Sequence, residues 1–118
     1  MLLALVGSML CLFNNQASVL FVNLNSTNAS LPFASWNTAA TNIQNAIDAA
    51  DVGDLILVTN GLYDTGGEIF PINNNTLTNR VVVSKAVTVQ SVNGPLVTII
   101  YGYQVPGGAN GVSAIRCV

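Results

Sequence analysis

Residues 36–63 read WNTAATNIQNAIDAADVGDLILVTNGLY, and this stretch decides which fold the chain can adopt. The apolar residues that recur in it at helical spacing are Ala40, Ile43, Ile47 and Ala50. This spacing predicts one short amphipathic helix over residues 38–50, capped by Asn37 or Thr38. Leu55–Val58 follows with no polar member, as in a strand that is buried on both faces. We therefore expect a helix, a glycine stop and then a core strand.

Strand-like segments and turns make up the rest of the chain. The further predicted strands are residues 19–24, 80–84, 87–91, 97–101 and 113–118, and residues 64–79 are predicted to form a long loop. A single helix ahead of short stacked strands is typical of the opening of a right-handed parallel β-helix, where the helix covers the edge of the first coil. The predicted class is therefore all-β: the N-terminal cap and first coils of such a β-helix, with one short capping helix.

The same strands also allow an antiparallel β-sandwich, which is the alternative fold. Asn-Gly recurs at residues 60–61, 93–94 and 110–111, and Asn-Gly between alternating strands commonly forms hairpins. The β-helix interpretation makes a more specific prediction about the interior. The residues expected to face inward are Ile56, Val58, Val82, Val87, Val89 and either Ile99 or Ile100.

Composition excludes several classes of protein. Of the 118 residues, 51% are hydrophobic and 7% are charged, with a net charge of −2, and this balance rules out intrinsic disorder. Arg80, Lys85 and Arg116 are the three basic residues. Three scattered cations cannot build the positive face that binding to nucleic acid requires, so no nucleic-acid partner is expected.

The N-terminus resembles a secretory signal. Residues 2–13 form an apolar run that is too short to span a bilayer, so residues 1–17 are predicted to be a signal peptide and residues 18–118 the mature chain. The protein is then expected to be secreted or on the cell surface, with no membrane span in the mature chain. Cys117 would be its single cysteine, which excludes a disulfide framework. Its alternation with Ile115 predicts a small buried hydrophobic side chain.

Two longer stretches, TAATNIQNAIDAADVGDLILVTNGLYDTGG and RVVVSKAVTVQSVNGPLVTIIYGYQ, carry a family resemblance. They resemble the N-terminal region of pectate-lyase-like right-handed parallel β-helix proteins, above all large secreted ones of environmental bacteria, and pectinesterases share a similar opening. The matching elements are a helix of the form IQ-A-I-AA, a strand ending V-x-x-G-x-Y, then V-x-K-x-V-T-V, and a G-P-x-x-T-x-I step. The resemblance covers residues 20–118 and concerns caps, corners and core ladders.

The resemblance implies that the chain is the N-terminal part of a longer protein, truncated inside a strand at residues 116–118. In that family the coils continue and the substrate cleft lies on later coils, so the downstream coils are themselves an expected partner. Two functions stay open. One is a carbohydrate-active enzyme, a polysaccharide lyase or pectinesterase-like protein acting on extracellular polysaccharide. The other is a non-catalytic adhesin or structural β-helix of the cell surface.

No catalytic, cofactor-binding or metal-binding residue is predicted within this segment. Its five acids are Asp48, Asp51, Asp54, Asp64 and Glu68. The first three are expected to be solvent-exposed at the end of the helix. The resemblance implies calcium only for a full-length lyase, because the acid clusters of such enzymes have no counterpart here.

Tyrosines are the remaining candidates for a binding role. Tyr101 and Tyr103 flank Gly102, and an aromatic ring with a polar tip can stack on a sugar ring. They are therefore the candidate carbohydrate contacts. Tyr63 is instead expected to pack at the first corner, against the helix.

Overall fold

The computed structural model describes residues 16–73, 75–108 and 113–118. Its elements are β1 (Val19–Val22), a 3-10 turn (Trp36–Thr38), α1 (Ile43–Ala49), β2 (Leu55–Val58), β3 (Gly61–Tyr63), β4 (Glu68–Ile72), β5 (Asn75–Asn79), β6 (Thr88–Ser91), β7 (Thr98–Ile100) and β8 (Ile115–Arg116). Short strands dominate these described residues and the one α-helix among them is short, which confirms the all-β class. Most of the predicted signal segment, residues 1–15, lies outside the described residues.

Parallel pairing organises the first part of the chain. β1, β2 and β6 form a three-stranded parallel sheet in the order β1-β2-β6, and β3 pairs with β7 in a second parallel sheet. Successive strands stack in register, so that Leu20, Ile56 and Val89 are aligned across the first sheet. The hairpin between residues 55–58 and 80–84 that would have favoured a sandwich is not formed, because β2 is parallel to both of its neighbours.

The predicted loop over residues 64–79 is wrong. β4 and β5 pair there as an antiparallel hairpin, and β5 also pairs in parallel with β8. Asn73 at the turn has a φ of 45°, a left-handed conformation that asparagine tolerates better than most residues. Asn73 therefore belongs to the turn of a hairpin and not to a long loop.

The helix is shorter than its apolar periodicity predicts. Asn42 caps it, since its side chain accepts a hydrogen bond of 2.9 Å from the backbone N–H of Asn45. Ala40, predicted to be helical, bridges in parallel to Val22 of β1 instead. Because the backbone of Ala40 is bonded to β1, neither Asn37 nor Thr38 caps the helix, and residues 36–38 form a separate 3-10 turn.

The core lies between α1 and the parallel strands. The buried apolar side chains at its centre are Leu20, Val22, Phe33, Ala40, Ile43, Ala46, Ile47, Ala50, Ile56, Val58, Tyr63 and Val81. The predicted helical stripe is thus confirmed as buried, and so are Ile56 and Val58. Val87 and Ile100 pack against the edge of this cluster. Val89 is exposed, which contradicts its predicted inward position, while of the two alternatives Ile99 and Ile100 the inward one is Ile100.

Residues 80–84 are not a strand, and their orientation differs from the prediction. The backbone N–H of Val81 donates to the carbonyl of Cys117, and that of Val82 donates to the side chain of Gln44. Val81 is buried and Val82 is half-buried, so the inward position is one residue earlier than predicted. Bonding to a helix side chain replaces the strand ladder at this point.

The parallel stack has one covered edge and one open edge. The outer edge of β1 is bonded to the chain around the helix: Phe21 N–H donates to the carbonyl of Phe33, and Asn23 N–H to that of Ala40. At the opposite edge, β6 has β2 as its one neighbour among the described strands. Within the described ranges, no helix has the length and apolar character needed to cross a membrane.

Candidate functional site

The outer face of the β3–β7 sheet carries an exposed apolar surface, which we call the outer stripe and define as Leu62, Val97, Ile99 and Tyr101. Side chains alternate along an extended chain, so Val97, Ile99 and Tyr101, in and beside β7, share one side while Thr98 and Ile100 face the other. Leu62 is in register with Ile99, and the two are 45% and 46% exposed. The outer stripe is therefore a continuous apolar surface on two paired strands.

Tyr101 ends the outer stripe, and its backbone is fixed on both sides. Its N–H donates to the carbonyl of Tyr63 at 2.9 Å, which continues the β3–β7 pairing by one residue. Its carbonyl accepts a hydrogen bond of 3.0 Å from Nε of Arg80. The side chain is nevertheless 59% exposed. A rigid backbone that presents an accessible ring can offer a stacking surface at low entropic cost.

Arg80 is the positioning residue for this part of the molecule, and sequence reasoning missed it. Its side chain is buried, and its guanidinium donates to the carbonyls of Tyr101 and Gly66. One side chain therefore ties the end of the outer stripe to the segment before β4. An arginine next to a run of valines was the available signal, because a charged residue beside core positions must find hydrogen-bond partners.

Tyr103 is also exposed but belongs to a different pairing. It forms an antiparallel bridge with Ile115, in which each N–H donates to the other residue's carbonyl at 2.8 Å. Between the tyrosines, Gly102 packs so tightly that any side chain would collide with the carbonyl oxygen of Ile115. Both candidate sugar contacts are thus accessible, and a glycine is required between them.

Tyr63, by contrast, is a structural residue. It is fully buried in the core cluster that also contains the helix residues, and its hydroxyl donates to the carbonyl of Thr59 at 2.9 Å. This hydrogen bond spans the Asn60-Gly61 corner, in line with the predicted packing. Burial raises the pKa of the Tyr63 hydroxyl above its ordinary value of 10.0.

The exposed position predicted for Asp54 is wrong. Its carboxylate is buried and accepts two backbone hydrogen bonds of 2.8 Å, from Ser18 and from Asp51. The carboxylate ties the residue before β1 to the turn after the helix, because it satisfies N–H groups on both. Asp48 and Asp51 are exposed as predicted.

Two other acids meet at a buried glutamine. Gln44 Nε2 lies 2.8 Å from Asp48 Oδ1 and 3.2 Å from Glu68 Oε2, and the Gln44 side-chain oxygen accepts from Val82 N–H at 2.7 Å. The helix is thereby joined to β4 and to the segment before β6. No group of three or more potential metal-ligating side chains occurs in the part of the chain that the structure describes.

Cys117 is exposed, which contradicts its predicted burial. Its carbonyl accepts the hydrogen bond from Val81, and its Sγ lies 3.4 Å from the position that a Cβ at Gly102 would take. A separate shallow cleft of about 410 Å³ lies beside the helix and is lined by Leu31, Phe33, Asn45, Asp48 and Ala49. It presents one carboxylate and no convergent set of polar groups, so the outer stripe remains the better candidate site.

Comparison with known proteins adds no relative: no family model matches the chain, and no curated protein or solved structure matches it.

Proposed function

We propose that this chain is the capped N-terminal part of a right-handed parallel β-helix in a secreted or cell-surface protein that binds or acts on extracellular polysaccharide. The observation that carries the proposal is the parallel stack β1-β2-β6, whose β1 edge is bonded to Phe33 and Ala40 in the segment before α1 and whose β6 edge has no further described strand beside it. Its role in the protein is to close the first coil and to offer β6 as the template for further coils.

The register supports the β-helix part of the proposal. Paired residues are 36 apart in sequence between β1 and β2, 33 apart between β2 and β6, and 37 apart between β3 and β7. Similar spacings in two different sheets are expected when the chain winds around a common axis. Parallel crossovers are right-handed in nearly all proteins, which supports the handedness.

The outer stripe supports the carbohydrate part. It combines the exposed aromatic ring of Tyr101, the aliphatic side chains beside it and a backbone fixed by Arg80, and it lies on two paired strands. Sugar rings present apolar C–H faces that pack on such surfaces. The aliphatic members would also suit contact with a protein, as in a non-catalytic adhesin.

We propose no catalytic role for the described residues: Asp54 holds backbone groups, while Asp48 and Glu68 both contact Gln44.

The binding proposal is tested by affinity electrophoresis of the 118-residue protein in gels that contain polygalacturonate, methylated pectin or a neutral plant glucan. Tyr101→Ala is expected to weaken binding about five- to tenfold, the value of one aromatic contact. Phe70→Ala is the matched control, since Phe70 is an exposed aromatic residue on the hairpin, outside the outer stripe. Incubation of the same polysaccharides, with and without calcium, is expected to yield no cleavage product.

Absence of binding to all three polymers, or equal effects of the two substitutions, would overturn the carbohydrate part of the proposal. The β-helix part has its own measurement. Nuclear Overhauser contacts between the backbones of Leu62 and Ile99 are expected from the parallel register, and their absence would contradict it.

A further inference from the structure

Two Asn-Gly corners occupy equivalent positions in the stack. Asn60-Gly61 follows β2 and Asn93-Gly94 follows β6, and Val58 is in register with Ser91. The two asparagine side chains touch, with Nδ2 of Asn93 donating to Oδ1 of Asn60 at 2.7 Å. Two of the three Asn-Gly dipeptides of the chain therefore lie at neighbouring positions in the stack.

Asn-Gly is chemically labile when its backbone is free to move. The glycine nitrogen loses its proton to hydroxide and attacks Cγ of the asparagine side chain. A new C–N bond closes a succinimide ring, and the side-chain nitrogen leaves as ammonia. Water then opens the ring at either carbonyl, which leaves aspartate or isoaspartate. The reaction needs only water and hydroxide, and it requires a glycine N–H that is not held in a hydrogen bond.

At the first corner, Gly61 is held. Its N–H donates to the carbonyl of Val97 at 2.8 Å, and it is paired with Thr98 as the first residue of β3. A Cβ at this position would lie 3.3 Å from the side chain of Leu24 and 3.5 Å from that of Tyr63. Both the hydrogen bond and this packing must open before the Gly61 nitrogen can move toward Asn60.

At the second corner, Gly94 is free. Its N–H has no acceptor among the described residues, and nothing lies within 4 Å of the position where its Cβ would be. Asn93 is exposed to water. Its hydrogen bond to Asn60 involves the nitrogen that leaves, so it does not shield the carbon that is attacked.

We propose that Asn93 is a site of spontaneous deamidation and that Asn60 is protected from the same reaction by the fold. The product at residue 93 adds a negative charge and has no side-chain N–H for Oδ1 of Asn60. The contact between the two corners is therefore lost when the modification occurs. This inference rests on the contacts of the two glycines and is independent of any carbohydrate binding.

The test is to incubate the folded 118-residue protein at mildly alkaline pH and to follow both sites by tryptic peptide mass spectrometry. Cleavage after Arg80 and Lys85 places Asn60 and Asn93 in different peptides, and fragmentation separates Asn93 from Asn110-Gly111, which lies outside the described residues. Asn93 is expected to deamidate at least about fivefold faster than Asn60, since one more backbone hydrogen bond must open at the first corner.

The unfolded protein is the control, because in concentrated urea both dipeptides lose their contacts. The ratio of the two rates is expected to fall close to one there. Equal rates in the folded protein, or faster reaction at Asn60, would overturn the proposal. A ratio that is the same in urea as in the folded protein would also overturn it, since the difference would then come from the flanking residues and not from the fold.

Discussion

The two edges of the parallel stack differ in burial although their side chains occupy equivalent positions. Leu20, Ile56 and Val89 are aligned on β1, β2 and β6, and their side chains are 4%, 0% and 36% exposed. Register decides which way a side chain faces, but burial requires another layer above it. Over β1 and β2 that layer is α1, whose buried residues share the core cluster with Leu20 and Ile56, while Val89 of β6 lies outside this cluster.

The comparison is tested most severely by placing the same charged residue at two positions of one ladder. Ile56→Lys is expected to destabilise the protein by at least about 4 kcal/mol, because it removes core packing and buries an ammonium group without a partner. Val89→Lys is expected to cost less than about 1 kcal/mol, since the lysine can extend to water from the open edge. Urea unfolding followed by circular dichroism measures both.

If the two lysine variants lose similar amounts of unfolding free energy, β6 is as well covered as β2 and the distinction between the edges is removed. Substitution by leucine at both positions is a useful companion, because it preserves apolar character and should leave both proteins folded.

Arg80 provides a second comparison, between a buried and an exposed arginine. Arg80→Met is expected to cost about 2–3 kcal/mol, because the carbonyls of Tyr101 and Gly66 lose a charged donor. Arg116→Met is the matched control and should change stability by less than about 0.5 kcal/mol, since that side chain is exposed. Hydrogen exchange should also report faster opening at the N–H of Tyr101 in the Arg80 variant. If the N–H exchanges equally fast in both variants, Arg80 does not position the outer stripe.

The smallest predicted effect concerns Tyr63 and alkaline pH. Because burial raises the Tyr63 pKa in the folded state, the unfolded chain releases this proton first as pH rises. The contribution to stability is complete below the unfolded tyrosine pKa of about 10 and is lost as pH rises through the higher folded value. At neutral pH the free energy of unfolding of Tyr63→Phe should be about 1 kcal/mol lower than that of the native protein, because the hydrogen bond to Thr59 is lost. As pH rises above the tyrosine pKa, the free energy of unfolding should fall less for the variant than for the native protein, because phenylalanine has no proton to release. If the free energies of unfolding of the two proteins fall equally above the unfolded tyrosine pKa, Tyr63 is not the group responsible for the alkaline loss of stability.

Sequence reasoning worked where side-chain pattern and backbone pairing coincide. Leu55–Val58 is a strand with the predicted bounds, and the apolar helical stripe is buried. It did not anticipate the start of the helix, because Ala40 satisfies the helical period and yet is bonded to β1. Tyr101 and Tyr103 are accessible as the candidate contacts require, whereas the support of Tyr101 by Arg80 depends on a contact between residues far apart in sequence.

The amino-acid sequence by itself determined the strand-rich character, the presence of the helix α1 and the alternation that puts Val97, Ile99 and Tyr101 on one side of the chain. These properties follow from periodicity, which is local. Tertiary structure alone decided which polar groups are buried and which apolar ones are exposed. Asp54 and Arg80 are buried because backbone groups from other segments bond to them, while Val89 is exposed because it lies outside the core cluster that α1 forms with β1 and β2. Burial depends on what packs against a residue, and that is set by the arrangement of strands in space.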